Sequence, residues 1–387
     1  MNFKYPLATV TWDHRELEIM QRVIDSGLFT MGAHVFEFER RFAEYMGSAH
    51  CVMVNSGSSA NLLMVAALFF TKNPRLKLNP GDEVIVPAVS WGTTYYPLQQ
   101  YGLRVKFVDI DLHTLNYDLD QLASAVTERT RLIMVVNLLG NSNDFGRIRQ
   151  IIGERDIVLI EDSCESLAAE FEGRKTGTFG VMGSFSTYFS HHISTMEGGM
   201  IVTDDEELFH ILSSLRAHGW TRNLPKENHI CQKSDDPFEE SFRFVLPGYN
   251  VRPVELAGAI GIEQLKKLPA MIVERRRNGV HLQEVMADHP HLLIQQELGE
   301  SSWFGFSLVI RPGSDLTRPV LLQRLAAIGF ETRPIVAGNF AKSEVMQYFN
   351  AELHGTLKNA EHIDKHGLFV GNHHYPIPEA IDALRGI

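Results

Sequence analysis

Short apolar runs alternate with longer amphipathic stretches from about residue 50 to about residue 250. Runs at 51–54, 83–86, 105–109, 132–137, 157–161, 184–188 and 200–203 are compact and rich in Val, Ile and Met, which predicts strands. The segments between them, 58–70, 93–101, 119–126, 146–153 and 206–217, carry the apolar spacing of helices. Apolar strands that alternate with helices predict βα units and a largely parallel, buried sheet. The stretch 224–244 is polar and charged and reads as a long surface excursion or interface arm. From 254 to about 286 the pattern predicts one long helix, kinked or split by Pro269. Alternation over 303–311 predicts a strand, and 318–329 a helix. The reading is an α/β chain with a large domain over 1–254 and a smaller α+β domain over 255–387.

Composition narrows the function classes. The chain has 387 residues, enough for a sizeable core without staples. Lys plus Arg is 36 against 47 Asp plus Glu, a net charge of −11, and no basic run interrupts it. That excludes a nucleic-acid surface and an anionic membrane partner. No apolar stretch reaches the ~18 residues of a membrane span, and the first residues lack the apolar core of a signal peptide. Three cysteines, Cys51, Cys164 and Cys231, are widely spaced and form no CxxC. The expectation is a cytoplasmic protein without disulfides, structural zinc or iron–sulfur cluster.

Five segments carry candidate chemistry. Asn55-Ser56-Gly57-Ser58-Ser59 joins a strand to an apolar helix, where small residues and free N–H groups suit an anion; Ser58 or Ser59 equally suits an N-cap. The 157–163 strand ends in Glu161-Asp162, and ligands of open α/β sheets bind beyond such strand ends. An Asp there holds a positive charge such as a protonated pyridine nitrogen, or simply caps a helix. Trp91 follows a strand and either stacks on a planar ligand or packs in the core. Gly183 to Met200 runs from a hydroxyl-rich strand into His191-His192 and then Glu197-Gly198-Gly199. In an extended segment the two histidines face opposite sides, so a shared metal is not expected. A single histidine there is either structural or an acid–base group. Pro247 to Pro253 forms a turn whose Asn250 and Arg252 suit an anion.

Together these motifs resemble, in the same order along almost the whole chain, the fold type I (aspartate aminotransferase-like) family of pyridoxal-phosphate enzymes acting on nucleotide-linked keto sugars. The matching residues are Ser56-Gly57-Ser58, Glu161-Asp162, Ser184-Phe185-Ser186, Glu197-Gly198-Gly199 and Gly248-Tyr249-Asn250. The resemblance implies that Gly57, Ser58 and Ser186 bind the cofactor phosphate. It implies that Trp91 stacks on the pyridine ring, that Asp162 meets the ring nitrogen and that Glu165 lies on the ring's hydroxyl side. Asn250 is implied to reach the phosphate held by a second subunit, so a homodimer follows. His218 is implied to lie near the sugar, and Arg333 to meet a glutamate carboxylate or a nucleotide diphosphate.

Two positions depart from the family pattern. The family's cofactor-bonding lysine lies six residues before the Glu of Glu-Gly-Gly, and that position here is His191; no lysine occurs between Lys175 and Lys226. Glu165 stands where aminotransferases usually carry Gln. Histidine for lysine resembles the branch of the family that removes a sugar hydroxyl instead of adding an amine. That resemblance implies pyridoxal or pyridoxamine phosphate held without a covalent bond, GDP-4-keto-6-deoxy-D-mannose as substrate and L-glutamate as amino donor. An aminotransferase working without lysine and a non-catalytic family member are the alternatives.

Overall fold

A computed structural model describes residues 3–387. Its centre is an eight-stranded sheet. In spatial order the strands are His50–Val54, Gly199–Thr203, Met182–Ser186, Val158–Asp162, Thr130–Val136, Glu83–Pro87, Arg104–Val108 and Ala351–Leu353. The two pairings of Gly199–Thr203 are antiparallel and the other five are parallel. The central strands are buried along their whole length, which is why they read as unbroken apolar runs instead of alternating ones.

Helices cover both faces of the sheet. The helix Gly57–Phe70 is apolar nearly all round, because it lies between the sheet and other helices. The helices His14–Ser26 and Ala33–Met46 pack on a single helix, Glu255–Met286. Pro269 does not divide that helix. It sits on the exposed side of the helix.

A second sheet is antiparallel throughout, in the order Leu292–Leu293, Gly305–Ile310, Gly367–Gly371, Thr332–Arg333. It has its own apolar cluster around Trp303, Phe306, Leu321 and Ile381. The segment 224–244 contains one short helix, Pro237–Ser241, and exposes Phe238, Phe242 and Phe244.

The topology gathers the chemistry on one edge. Val54 and Ser186 both pair with Gly199, and Ser184 pairs with Asp162. The loops that follow Val54, Pro87, Asp162 and Ser186 therefore leave the same edge of the sheet. That edge holds the carboxyl ends of the parallel strands, where ligand crevices form in open α/β folds.

Candidate active site

The base of the site is a turn between the first strand and its helix. Ser56 caps the helix Gly57–Phe70, its hydroxyl accepting from the Ser59 amide. Ser58 is exposed and donates to Thr93 Oγ1 at 2.9 Å, which joins this helix start to that of Gly92–Gln100. Two helix N-termini thus open side by side, the arrangement that favours a phosphate. The cap is Ser56 and not Ser58 or Ser59, which lie inside the first turn, so Ser58 is left at the open helix start.

Glycines let the turn sit this low. A Cβ on Gly57 would lie 2.8 Å from Ser186 Cβ and 2.9 Å from Cys164 Sγ. A Cβ on Gly199 would lie 2.2 Å from the Ser56 carbonyl oxygen and 2.7 Å from the Gly57 nitrogen. Gly199→Ala therefore pushes the turn outward. The expected result is a loss of about 1–3 kcal/mol of stability together with weaker cofactor retention. Thermal unfolding and a cofactor titration check it, and a variant with unchanged Tm would refute this packing.

Asp162 ends its strand buried and fully engaged. Oδ2 accepts from Asn61 Nδ2 at 2.7 Å and Thr94 Oγ1 at 2.8 Å, and Oδ1 accepts from the Cys164 amide at 3.1 Å. Three uncharged donors fix the carboxylate without neutralising it, so its charge is available to a cation. Neither Asn61 nor Thr94 is singled out by the sequence. The one signal is that Asn61 is the single polar residue in the apolar stretch 60–70. Glu161, its neighbour, is structural: it accepts from the amides of Gly177, Phe179 and Gly180 and closes that turn.

Glu165 accepts from the Leu139 amide at 3.1 Å. Burial, and secondarily the Asp162 charge, push its carboxyl up to about 7. A folded pKa above the unfolded value means that stability is fully present below about 4.5 and falls as pH rises toward 7. At roughly 1.4 kcal/mol per pH unit the fall is about 3 kcal/mol. Glu165→Gln should flatten this part of the stability–pH curve, measured by denaturant unfolding at pH 4.5–8. Parallel curves for the two proteins would refute the assignment.

Trp91 occupies the position before the helix Gly92–Gln100 and is 60% exposed, so it is not a core residue. Ser186 is buried at the end of its strand beside Gly57. His191 lies in the turn between the Met182–Ser186 and Gly199–Thr203 strands, its amide donating to the Tyr188 carbonyl. This turn corrects one expectation. The histidines do not sit on opposite sides of an extended chain: both rings lie against Phe304, with centroids at 5.1 Å for His191 and 5.6 Å for His192. Among the described residues no group of His, Cys, Asp or Glu forms a metal site. His191 Nδ1 is buried without a partner, and burial, then the nearby Arg275 charge, lower its pKa to about 4. The imidazole is therefore neutral near pH 7 and ready to accept a proton.

The turn at 249–252 joins the same edge. The Val251 carbonyl accepts from the Asn55 amide at 3.0 Å. Asn250 is exposed and accepts from Arg252 Nε at 3.1 Å, and Arg252 also lies 3.5 Å from His218 Nε2. Arg333 is apart from this group. It is exposed on its short strand, and no hydrogen bond or ion pair among the described residues ties it to the others. The flanking lysines are engaged elsewhere: Lys175 Nζ lies over the Tyr45 ring and Lys226 pairs with Asp235.

Residues 11–383 match the DegT/DnrJ/EryC1/StrS aminotransferase family. The chain belongs to that family. Within it, the chain is 60% identical over 385 residues to GDP-4-keto-6-deoxy-D-mannose 3-dehydratase of Yersinia pseudotuberculosis, covering 99% of this chain and 98% of that one. It is 60% identical to the Escherichia coli O55:H7 protein of the same name, covering 99% of each. A solved structure of the E. coli 3-dehydratase with bound hydrated pyridoxal phosphate superposes with a TM-score of 0.98, covering 100% of this chain and 99% of that one. The α/β architecture is thus the aminotransferase-family fold. No helix among the described residues is long and apolar enough to cross a membrane.

The residues present fit a pyridoxal-type cofactor. The Gly57 cradle would be filled by a single Cβ, paired helix starts offer amides to a phosphate, and Asp162 presents a held but uncompensated carboxylate. The imidazole at position 191 has no primary amine to offer such a cofactor.

Proposed function

We propose that this protein removes the C3 hydroxyl of GDP-4-keto-6-deoxy-D-mannose, giving GDP-4-keto-3,6-dideoxy-D-mannose. L-glutamate is the amino donor and leaves as 2-oxoglutarate, with ammonia released. The oxygen lost from the sugar is the oxygen gained in turning glutamate into its keto acid, so the exchange balances. The observation that carries this reading is His191, a half-buried imidazole with a buried Nδ1, neutral near pH 7, at the position that the motif spacing aligns with the family's covalent lysine. The 60% identity to the two 3-dehydratases supports the sugar and its nucleotide.

The cofactor, pyridoxamine or pyridoxal phosphate, supplies an amine for the C4 ketone and a ring that stores electrons when its nitrogen is protonated. Asp162 is assigned to keep that nitrogen protonated. Gly57, Ser58 and Ser186 hold the phosphate, Trp91 covers the ring face and Glu165 lies at the ring hydroxyl. His191 takes a proton near the reacting carbon and gives one to the departing C3 hydroxyl, which leaves as water. An imidazole with a depressed pKa suits both tasks: it is a free base at rest and a strong acid once protonated. Asn250 serves the phosphate across a homodimer, and His218 and Arg333 are assigned to substrate groups. The protein is assigned to the cytoplasm, with a large domain over 1–254 and a small one over 255–387.

The test is stoichiometric. The protein, pyridoxal phosphate and glutamate should form 2-oxoglutarate and ammonia in equal amounts, continuously only when the sugar nucleotide is present. Sustained 2-oxoglutarate without ammonia would contradict the proposal, because the nitrogen would then stay on the sugar.

A further inference from the structure

Arg275 projects from the long helix Glu255–Met286 and is 5% exposed. Its Nη1 donates to three carbonyl oxygens, those of Trp303 at 3.4 Å, Phe304 at 3.2 Å and Asn372 at 3.0 Å. Its Nε is buried without a partner. Among the described residues no carboxylate comes within ion-pairing distance of it. Burying an unpaired charge costs several kcal/mol, and three carbonyl dipoles recover part of that. Neutral donors would serve the same carbonyls at lower cost, so the charge itself calls for a reason.

The reason lies in what the guanidinium grips. Ser302-Trp303-Phe304 is clamped tightly: a Cβ on Gly140 would lie 2.5 Å from the Trp303 nitrogen, and one on Gly279 2.5 Å from the Trp303 ring. Trp303 itself holds a left-handed φ of 46°. This rigid segment carries the Phe304 ring against His191, and its Ser302 carbonyl lies 3.2 Å from His192 Nε2. Arg275 therefore sits behind the wall of the His191 pocket. The titratable and charged groups facing His191 are Arg275 from the long helix and His192 and Tyr188 from its own turn. Among these only Arg275 carries a charge near neutral pH.

We propose that Arg275 is a positioning residue for His191, a buried cation without a counter-ion whose field keeps the imidazole unprotonated at rest and makes its protonated form a stronger donor. This rests on the acid–base role given to His191 above. Proximity to a positive charge disfavours the imidazolium, and the guanidinium cannot relieve the repulsion by losing its own proton. The same residue fixes the wall against which the ring is oriented, so charge and geometry reach His191 through one segment.

The test reads His191 directly and needs no turnover. Diethyl pyrocarbonate acylates only unprotonated imidazole, and the His191 peptide is quantified by mass spectrometry across pH 4–8 in the full-length protein. In the parent protein, reactivity should persist well below pH 6. Arg275→Met should move the midpoint up by about one pH unit, and Arg275→Lys should leave it in place. Should Arg275→Met fail to fold, Arg275→Gln, which keeps donors for the carbonyls, carries the comparison. An unmoved midpoint in the neutral variant, or an equal shift in Arg275→Lys, would overturn the proposal and leave Arg275 as a backbone anchor only. Because the readout is the titration of one ring, failure here is separate from failure of the dehydratase reading, which the product of turnover decides.

Discussion

His191→Asn should fold, bind pyridoxamine phosphate and release ammonia about 10²–10⁴-fold more slowly than the parent. The fold does not depend on the imidazole. Its Nδ1 has no partner, and the turn is held by the backbone bond from residue 191 to the Tyr188 carbonyl, which any residue makes. Cofactor retention is assigned to Gly57, Ser58, Ser186 and Asp162, none of which touches His191 through a hydrogen bond. What asparagine removes is a group that changes its proton count at accessible pH. Ammonia release, cofactor absorbance and Tm measured on one preparation separate these effects. Turnover at the parent rate would take His191 out of the reaction.

His191→Lys should convert non-covalent cofactor binding into covalent binding. A lysine amine placed at this half-buried position is partly desolvated and lies near Arg275, and both effects favour the unprotonated, nucleophilic form. Pyridoxal phosphate should then be fixed by borohydride as one adduct per chain on the peptide carrying residue 191, and dehydration should be lost. The parent should give no adduct there. A variant that binds the cofactor but gives no adduct would mean that residue 191 is not where the family places its lysine.

Much of this site is legible in the sequence because parallel sheets write themselves as apolar runs. The strand expected at 157–161 is Val158–Asp162, and the helix expected at 58–70 is Gly57–Phe70. Each ends within a residue of its predicted bound. The small motifs at those ends are also local: Ser56-Gly57-Ser58, Asp162, Ser186 and Gly198-Gly199 lie within a few residues of a strand terminus.

What the sequence hides is contact between distant segments. Asn61 and Thr94 hold Asp162 from 101 and 68 residues away. Arg275 reaches the His191 wall through Trp303 and Phe304, more than 100 residues beyond His191 along the chain. The edge strand Ala351–Leu353 is three residues long and only partly buried, so it has no apolar run to announce it. The helices His14–Ser26 and Ala33–Met46 are amphipathic but bury their apolar faces on a helix more than 200 residues away. The two histidines mislead for a local reason: the alternation rule holds for strands, and they sit in a turn.

The most direct test of the central claim is the mass of the product. The protein is incubated with pyridoxal phosphate, glutamate and GDP-4-keto-6-deoxy-D-mannose, and the sugar nucleotide is analysed by mass spectrometry. The dehydratase reading predicts a product that has lost one oxygen and retains its ketone, with no nitrogen gained on the sugar. A product in which the keto oxygen has become an amine would contradict it and make this protein an aminotransferase that works without its lysine.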